Sequence, residues 1–211
     1  MPEAPVRIDV ISDFVCPWCW IGKRGVDTLA ERRTVERTWH PYLLHPGLPP
    51  EGMERDALMR MKFGPEGVKP EATRAIAEAA EAVGLEIDYN QIERVPNTID
   101  AHRLSRWASG QGKGDDVAEG LFRAYFNQGR DIGERPVLVE IGADAGLDGD
   151  LIADLLADDA DRKRVEDAAE DYRARGVPGV PSHLIERKGM LVGAQTAEAL
   201  EQAVAKVLAG S

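Results

Sequence analysis

The chain has little of several residue types that mark specialised protein classes. Only 2 of its 211 residues are cysteine, and aromatic residues make up 6%. Two cysteines cannot build the disulfide framework of a small secreted domain. No apolar stretch approaches the roughly 20 residues with which a helix crosses a bilayer. Residues 1–7 lack the basic and apolar regions of a signal peptide, so we expect a cytoplasmic protein that does not bind a membrane.

Positive charge is also scarce. The 26 lysines and arginines are outnumbered by 37 aspartates and glutamates, which gives a formal net charge of −11. A field of this sign repels a phosphate backbone, so we expect no nucleic-acid partner. Hydrophobic residues at 43% and charged residues at 30% are typical of a globular chain that buries a sizeable core.

The two cysteines, Cys16 and Cys19, are separated only by Pro17 and Trp18. A disulfide between them closes a loop too short to stabilise a fold, so the pair is expected to be catalytic or metal-binding. Zinc and iron–sulfur sites usually need four cysteine or histidine ligands. The chain has no second cysteine pair, and its histidines are scattered at His40, His45, His102 and His183. We therefore expect redox chemistry without a metal.

The spacing of apolar residues predicts a βαβ unit, a long helical block and a ββα unit. Residues 6–15 alternate as a strand, residues 20–33 have helical spacing, and residues 34–42 are again strand-like. Helices are then predicted over residues 56–63, 69–83, 98–109, 117–127, 136–145, 151–156 and 161–175, with Thr98 as an N-cap. A hairpin over residues 181–185 and 190–192 precedes a last helix that opens at residues 195–196.

The Cys-Pro-Trp-Cys turn is predicted to join the first strand to the first helix. Unpaired N–H groups and the dipole at a helix N-terminus favour a negative sulfur, and thiolate is the nucleophile in disulfide exchange. We therefore assign the attack to Cys16 and the resolution of the mixed disulfide to the more buried Cys19. Pro17 suits a helix start because it has no N–H to lose. Trp18 adds apolar surface beside the sulfur.

A second notable segment is Gly-Val-Pro-Gly-Val-Pro at residues 176–181. A cis peptide bond is plausible only before proline, and a cis-proline loop beside the cysteines would expose a backbone edge for a substrate strand. The prolines could equally serve only to stop the preceding helix and shape a loop. The residues themselves do not decide between these interpretations.

Residues 10–22, Val-Ile-Ser-Asp-Phe-Val-Cys-Pro-Trp-Cys-Trp-Ile-Gly, resemble the active-site segment of the DsbA-like oxidoreductases of the FrnE type. Residues 97–104, 121–126, 176–181 and 192–195 resemble the same group, so the resemblance spans almost the whole chain. It implies an α/β protein, a thioredoxin fold with a large inserted all-helical domain. The thioredoxin-like domain would comprise residues 1–46 and 176–211, and the insertion with its connecting helix residues 47–175.

The resemblance also implies a set of substrate-binding residues around the cysteines. It makes Val180–Pro181 the cis-proline bond that faces them, and it places Asn97 and His102 of the helical domain at the active-site cleft. With Pro17 and Trp18 these residues form the predicted substrate-binding set. His102 alone could equally be a structural, hydrogen-bonded histidine.

Asp13 and His183 are candidates for a proton relay. Asp13 precedes Cys16 by three residues and could accept the proton that Cys19 loses, but we favour the simpler role of a helix cap or a solvated carboxylate. Ser182-His183 stands where the family often has two bulky apolar residues. A charged His183 beside the sulfur would depress the pKa of Cys16, whereas a core-facing imidazole would have no such effect.

We expect a thiol–disulfide oxidoreductase or isomerase that acts on protein or small-thiol disulfides. It would need no cofactor beyond its own dithiol, with glutathione as a candidate co-substrate. The related 2-hydroxychromene-2-carboxylate isomerases and kappa-class glutathione transferases typically carry serine at the position of Cys16. They supply the main alternative, a glutathione-dependent isomerase or transferase for a small aromatic electrophile. A holdase-like interaction protein and a dimer bridging an iron–sulfur cluster are further alternatives.

Overall fold

The computed structural model describes residues 4–210. The strands of its main sheet are β1 (Val6–Ser12), β2 (Val35–Pro41), β5 (Ser182–Ile185) and β6 (Gly189–Val192), and a two-residue pair, β3 (Met53–Glu54) and β4 (Arg94–Val95), lies between β2 and β5 in the chain. The α-helices within this range are α1 (Pro17–Arg32), α2 (Arg55–Phe63), α3 (Pro70–Glu81), α4 (Ile99–Ser109), α5 (Gly114–Phe126), α6 (Arg135–Asp144), α7 (Gly149–Ala157), α8 (Arg162–Ala174) and α9 (Ala197–Ala209), and a short 3-10 helix spans Tyr89–Gln91.

The main sheet has the strand order β2-β1-β5-β6. β1 and β2 are parallel and joined through α1, whereas β5 is antiparallel to β1 and to β6. Helices α2 to α8 fill the chain between β2 and β5. This is a thioredoxin fold interrupted by a helical insertion, as the resemblance implied. The proposed domain limits at residues 47 and 175 remain a prediction.

The first helix begins earlier than its apolar spacing predicted. α1 starts at Pro17 instead of Trp20, and β1 ends at Ser12 instead of residue 15. Proline satisfies the first helical position because that position needs no N–H donor. Cys16 is therefore the N-cap residue, with extended backbone angles (φ −99°, ψ 112°) and no side-chain cap. Cys16 therefore lies at the helix N-terminus, and Cys19 lies within the first turn of α1 instead of before it.

The start of α4 also differs from the prediction. Thr98 occupies the N-cap position but makes no side-chain capping bond. The side-chain oxygen of Asn97 accepts a hydrogen bond from the Ile99 N–H (3.1 Å) instead. The β3–β4 pair was not predicted, because two residues are too few to show a period of two.

The insertion and the sheet share one hydrophobic core. Ile8 of β1, Leu29 of α1 and Phe122 of α5 are all fully buried and belong to the same cluster of contacting side chains. Within residues 4–210, no helix is long and apolar enough to cross a membrane.

Candidate active site

The two cysteines occupy the first turn of α1 and differ in exposure. Cys16 is 5% exposed and Cys19 is 1% exposed, and both are free thiols. The N–H of Cys19 donates a hydrogen bond to the carbonyl of Cys16 (3.0 Å) within this turn. Cys19 is the more deeply buried of the two residues. This arrangement suits disulfide exchange, in which the less buried thiol attacks the substrate and the more buried thiol resolves the mixed disulfide.

The loop before β5 reaches Cys16 from the far end of the chain. The Val180–Pro181 peptide bond is cis, as the resemblance implied. The Cys16 thiol donates a hydrogen bond to the carbonyl oxygen of Val180 (3.7 Å). Antiparallel pairing of β5 with β1 brings these residues together, because Ser182 lies opposite Ile11. A Cβ added to Gly22 of α1 would lie 3.0 Å from the Pro181 ring, so the helix packs closely against this loop.

Burial raises the pKa of the Cys19 thiol well above its ordinary value, and the neighbouring Cys16 raises it further. The Ser12 side chain and the Asp13 backbone oppose this shift through hydrogen bonding. Cys19 is therefore protonated at neutral pH and must lose a proton before it can attack.

Asp13 neither caps α1 nor opens to solvent, so the simpler role that we favoured for it is wrong. Its carboxylate is 1% exposed and accepts a hydrogen bond from the Leu44 N–H (2.7 Å). The other carboxylate oxygen lies 3.5 Å from Nε2 of His102. Neither of these two atoms has a hydrogen-bond partner within the described residues. A pair of facing polar groups is thus buried directly behind the cysteines.

His102 lies beside a cavity separate from the one at Cys16. Its ring is buried and contacts Phe14, with ring centroids 4.8 Å apart. With Ser12, His40 and other residues it lines a cavity of about 260 Å³. Asn97 uses both of its side-chain polar atoms within the fold, since its amide donates to the Leu48 carbonyl (2.9 Å) and its oxygen caps α4. Neither residue is among those that line the cavity at Cys16.

His183 points into the core, so the structure supports its structural interpretation. The side chain is 0% exposed and lies against α1 near Gly22. Burial, followed by the positive charge of Arg37, lowers the pKa of His183 to about 4. A neutral imidazole at this position cannot act as the cation beside Cys16 that the sequence left open.

A cavity of about 470 Å³ opens beside Cys16, and we call it the redox groove. Pro17 and Trp18 of the active-site turn line it together with residues of α2 and α3. Pro17 and Trp18 were expected from the sequence, whereas the lining residues of α2 and α3 were not. A signal for the α2 residues was present, because Arg55, Met59 and Lys62 follow a spacing of four and three that places them on one helix face.

The described residues contain no group of three or more histidine, cysteine, aspartate or glutamate side chains arranged to hold a metal ion.

A family model described as the DSBA-like thioredoxin domain matches residues 7–205. A probable DsbA oxidoreductase from Streptomyces coelicolor is 28% identical, with a TM-score of 0.84 over 98% of this chain and 91% of that chain. A 2-hydroxychromene-2-carboxylate isomerase is 14% identical, with a TM-score of 0.72 over 97% of each chain. The cytosolic disulfide reductase DsbM from Pseudomonas aeruginosa, solved with GSH, is 20% identical, with a TM-score of 0.67 over 97% of this chain and 98% of that chain. At these identities the last two show a shared fold alone.

Proposed function

Because the chain belongs to the DSBA-like thioredoxin domain family, we propose that it is a thiol–disulfide oxidoreductase acting on protein or small-thiol disulfides through Cys16 and Cys19. One observation carries this proposal. The Cys16 sulfur lies at the start of α1, borders the redox groove and contacts the Val180 carbonyl, with the Cys19 thiol buried behind it.

The reaction proceeds in two exchanges. The Cys16 thiolate attacks a substrate disulfide, forms a new S–S bond to one substrate sulfur and releases the other as a thiolate that takes a proton from solvent. Cys19 then loses its proton and attacks the Cys16 sulfur, which releases the second substrate thiol. Two electrons pass from the cysteine pair to the substrate, and the enzyme becomes the Cys16–Cys19 disulfide. The reverse sequence oxidises a substrate dithiol.

The Val180 carbonyl gives a substrate chain a backbone partner. It lies next to the Cys16 sulfur, just before β5 begins at Ser182. A substrate N–H that bonds to it would align an extended segment beside Cys16, with Pro181 packed below and Trp18 along the groove. This is a short form of strand addition.

Asp13 is our candidate acceptor for the proton of Cys19. Its backbone and the Ser12 side chain face the Cys19 sulfur, and its carboxylate faces His102. The cavity of about 260 Å³ has polar side chains in its lining, Ser12 and His102 among them, and is large enough for bridging water. A proton can therefore pass from Cys19 through Ser12 or water to the Asp13–His102 pair.

We place this activity in the cytoplasm, with the cysteine pair itself as the redox group and glutathione as a candidate co-substrate. The distant relative DsbM is described as cytosolic, which supports this location. Under the reducing poise of that compartment, net reduction or isomerisation is favoured over oxidation.

The test is the reduction potential of the pair, measured by equilibration in glutathione buffers followed by trapping of free thiols. We expect a reversible Cys16–Cys19 disulfide within the range of the glutathione couple. A protein that forms no such disulfide in any buffer contradicts the proposal.

The alternative is a glutathione-dependent isomerase or transferase for a small aromatic electrophile, and the apolar lining of the redox groove beside Trp18 favours it as a second candidate. The two functions differ in their need for Cys19. Disulfide exchange by Cys19→Ser stops at a mixed disulfide on Cys16, whereas glutathione transfer, in which Cys16 only orients the glutathione thiol, continues. Mass spectrometry of the trapped adduct and a transferase assay on the same variant distinguish them.

A further inference from the structure

The redox groove is positively charged in a protein that is strongly negative. Three cationic side chains, Arg55, Lys62 and Lys69, line it. Among the described residues that line this groove, none is aspartate or glutamate. The whole chain carries 37 acidic against 26 basic residues, so its other surfaces are on balance acidic. The groove beside Cys16 therefore attracts charge of the sign that the rest of the surface repels.

Two of these cations are available to a ligand. Lys62 and Lys69 are exposed, and neither is ion-paired with a carboxylate within residues 4–210. Arg55 is partly occupied, because it lies over the Tyr89 ring (4.9 Å) and 3.4 Å from Asp56. Lys62 also lies 3.5 Å from His45, whose pKa is lowered by burial and then by this lysine. A neutral His45 leaves the lysines as the main charges.

The rest of the groove wall is apolar. Met59 and Phe63 of α2 and Ile76 of α3 line the groove together with Trp18 of the active-site turn. Phe63 is 58% exposed and Trp18 is 36% exposed, so large apolar surfaces stand open at the groove. Exposed apolar patches rimmed by polar groups mark interaction sites. A small hydrophilic disulfide would satisfy the lysines but leave these surfaces in water.

We propose that the redox groove selects disulfide-bonded polypeptide segments whose reactive cysteine is flanked by acidic and apolar side chains. This inference rests on the proposed function and names its substrate class. The acidic groups pair with Lys62 and Lys69, the apolar groups cover Phe63 and Trp18, and the segment backbone bonds to the Val180 carbonyl. The exchange is the one described above, with the two electrons of the cysteine pair reducing the substrate disulfide.

The experiment uses three peptides that differ only in charge: acetyl-Leu-Glu-Cys-Glu-Leu-amide and its counterparts with glutamine or lysine in place of glutamate. Each is prepared as a mixed disulfide with 2-mercaptoethanol. For each peptide we measure the rate constant with which its disulfide oxidises the reduced protein and divide it by the rate constant with which the same disulfide oxidises dithiothreitol. This ratio removes the effect of the flanking charges on the intrinsic reactivity of the disulfide. We expect the glutamate peptide to react about tenfold faster than the glutamine peptide and faster still than the lysine peptide at low salt. The ratio of the normalised rate constants of the glutamate and glutamine peptides should become smaller in about 0.5 M salt, because the salt screens the charges.

The Lys62→Gln/Lys69→Gln variant tests the assignment to the groove. It should bring the glutamate and glutamine peptides to within about twofold of each other. Arg74→Gln/Lys206→Gln is the matched control, since it removes the same charge from exposed positions that do not line the groove, and it should retain the preference.

Each contrary result has a distinct meaning. Equal normalised rates for the three peptides, or a preference that survives Lys62→Gln/Lys69→Gln, overturn the inference and leave the proposed function intact. Glutathione disulfide reacting as fast as the glutamate peptide, with no loss when the peptide leucines become glycine, overturns the assignment to polypeptides. A protein that reacts with no peptide and forms no Cys16–Cys19 disulfide contradicts the proposed function itself.

Discussion

Asp13 lies almost without solvent contact between the cysteine turn and the helical insertion. One carboxylate oxygen is bound by the Leu44 N–H, and the other faces the His102 ring. Asp13 lies in the turn between β1 and α1. Its backbone contacts Cys19, whereas its side chain contacts Leu44 and His102. Buried carboxylates near reacting groups are common sites of proton transfer, which is the role we propose here.

We predict that Asp13→Asn slows resolution of the mixed disulfide on Cys16 by about 10- to 100-fold at pH 7, because the acceptor of the Cys19 proton is lost. The amide oxygen of asparagine can still accept the Leu44 N–H, which preserves the fold. Quenched-flow measurement of substrate thiol release isolates this step from the first attack. Asp159→Asn, at an exposed position, serves as the control. An unchanged resolution rate would exclude Asp13 as the acceptor.

His183 makes the stability of the fold depend on pH. Its folded-state pKa is about 4, below the roughly 6.5 of an exposed histidine. The unfolded state therefore binds a proton more readily, and stability falls as the pH drops from about 6.5 to about 4. The loss attributable to this residue is about 2–3 kcal/mol by pH 4.5.

We predict that His183→Leu weakens this dependence, because leucine carries no titratable group. The difference in unfolding free energy between pH 7 and pH 4.5, from urea titrations, should be about 2–3 kcal/mol smaller in the variant than in the wild type. Equal differences in the two proteins would mean that His183 is protonated in the folded state. The carboxylates contribute equally to the pH dependence of the unfolding free energy in both proteins, so their contribution cancels in this comparison.

At the scale of secondary-structure elements, α1 is fixed by glycines at two close approaches. Its Gly22 faces Pro181, and its Gly25 faces the segment that leads into α9. A Cβ on Gly25 would lie 1.9 Å from the Gln195 carbonyl oxygen, which is backbone and cannot rotate away. These contacts hold α1, and the cysteines at its start, against the end of the chain.

Gly25→Ala should destabilise the protein by about 1–3 kcal/mol or more, although alanine favours an isolated helix by about 1 kcal/mol. Gly47→Ala is the control, since nothing lies within 4 Å of its added Cβ, and its effect should stay within about 0.5 kcal/mol. Urea unfolding measures both variants. A Gly25→Ala protein as stable as the wild type would show that α1 and α9 can separate without cost.

Across the whole molecule, the insertion and the sheet are joined by an aromatic cluster. Phe122 of α5 contacts Phe14, Trp20, Trp39 and Phe126, with ring centroids 5.2 to 6.4 Å apart. Phe14, Trp20 and Trp39 come from the segment around the cysteines and from β2, whereas Phe126 is in α5. A shared core of this kind couples the folding of the two parts.

We predict that Phe122→Ala costs about 3–5 kcal/mol and lowers the stability of both parts together. Unfolding followed by tryptophan fluorescence and by far-UV circular dichroism should give one coincident transition in wild type and variant. Two separated transitions would mean that the insertion folds independently of the sheet. Met61→Ala, at an exposed position, is the control and should be nearly neutral.

The candidate cysteines and the order of the elements could be read from residues that are neighbours in the chain. Cys16 and Cys19 could be identified because a Cys-x-x-Cys pair at a strand-to-helix junction is a short, contiguous motif. The helical block could be predicted from the spacing of its apolar residues. Helix and strand limits were less certain, as at Trp20 and Thr98, because a start depends on which local group satisfies the backbone.

The surroundings of the cysteines, by contrast, depend on contacts between distant parts of the chain. Three features each bring together residues from separate parts of the chain. They are the Asp13–His102 pair, the burial of the His183 side chain against α1, and the lining of the redox groove by Lys62 and Lys69. Their neighbours follow from how the insertion packs on the sheet, which no short-range pattern encodes. Resemblance placed Asn97 and His102 at the cleft; neither lines the redox groove, and their part in substrate binding remains a prediction.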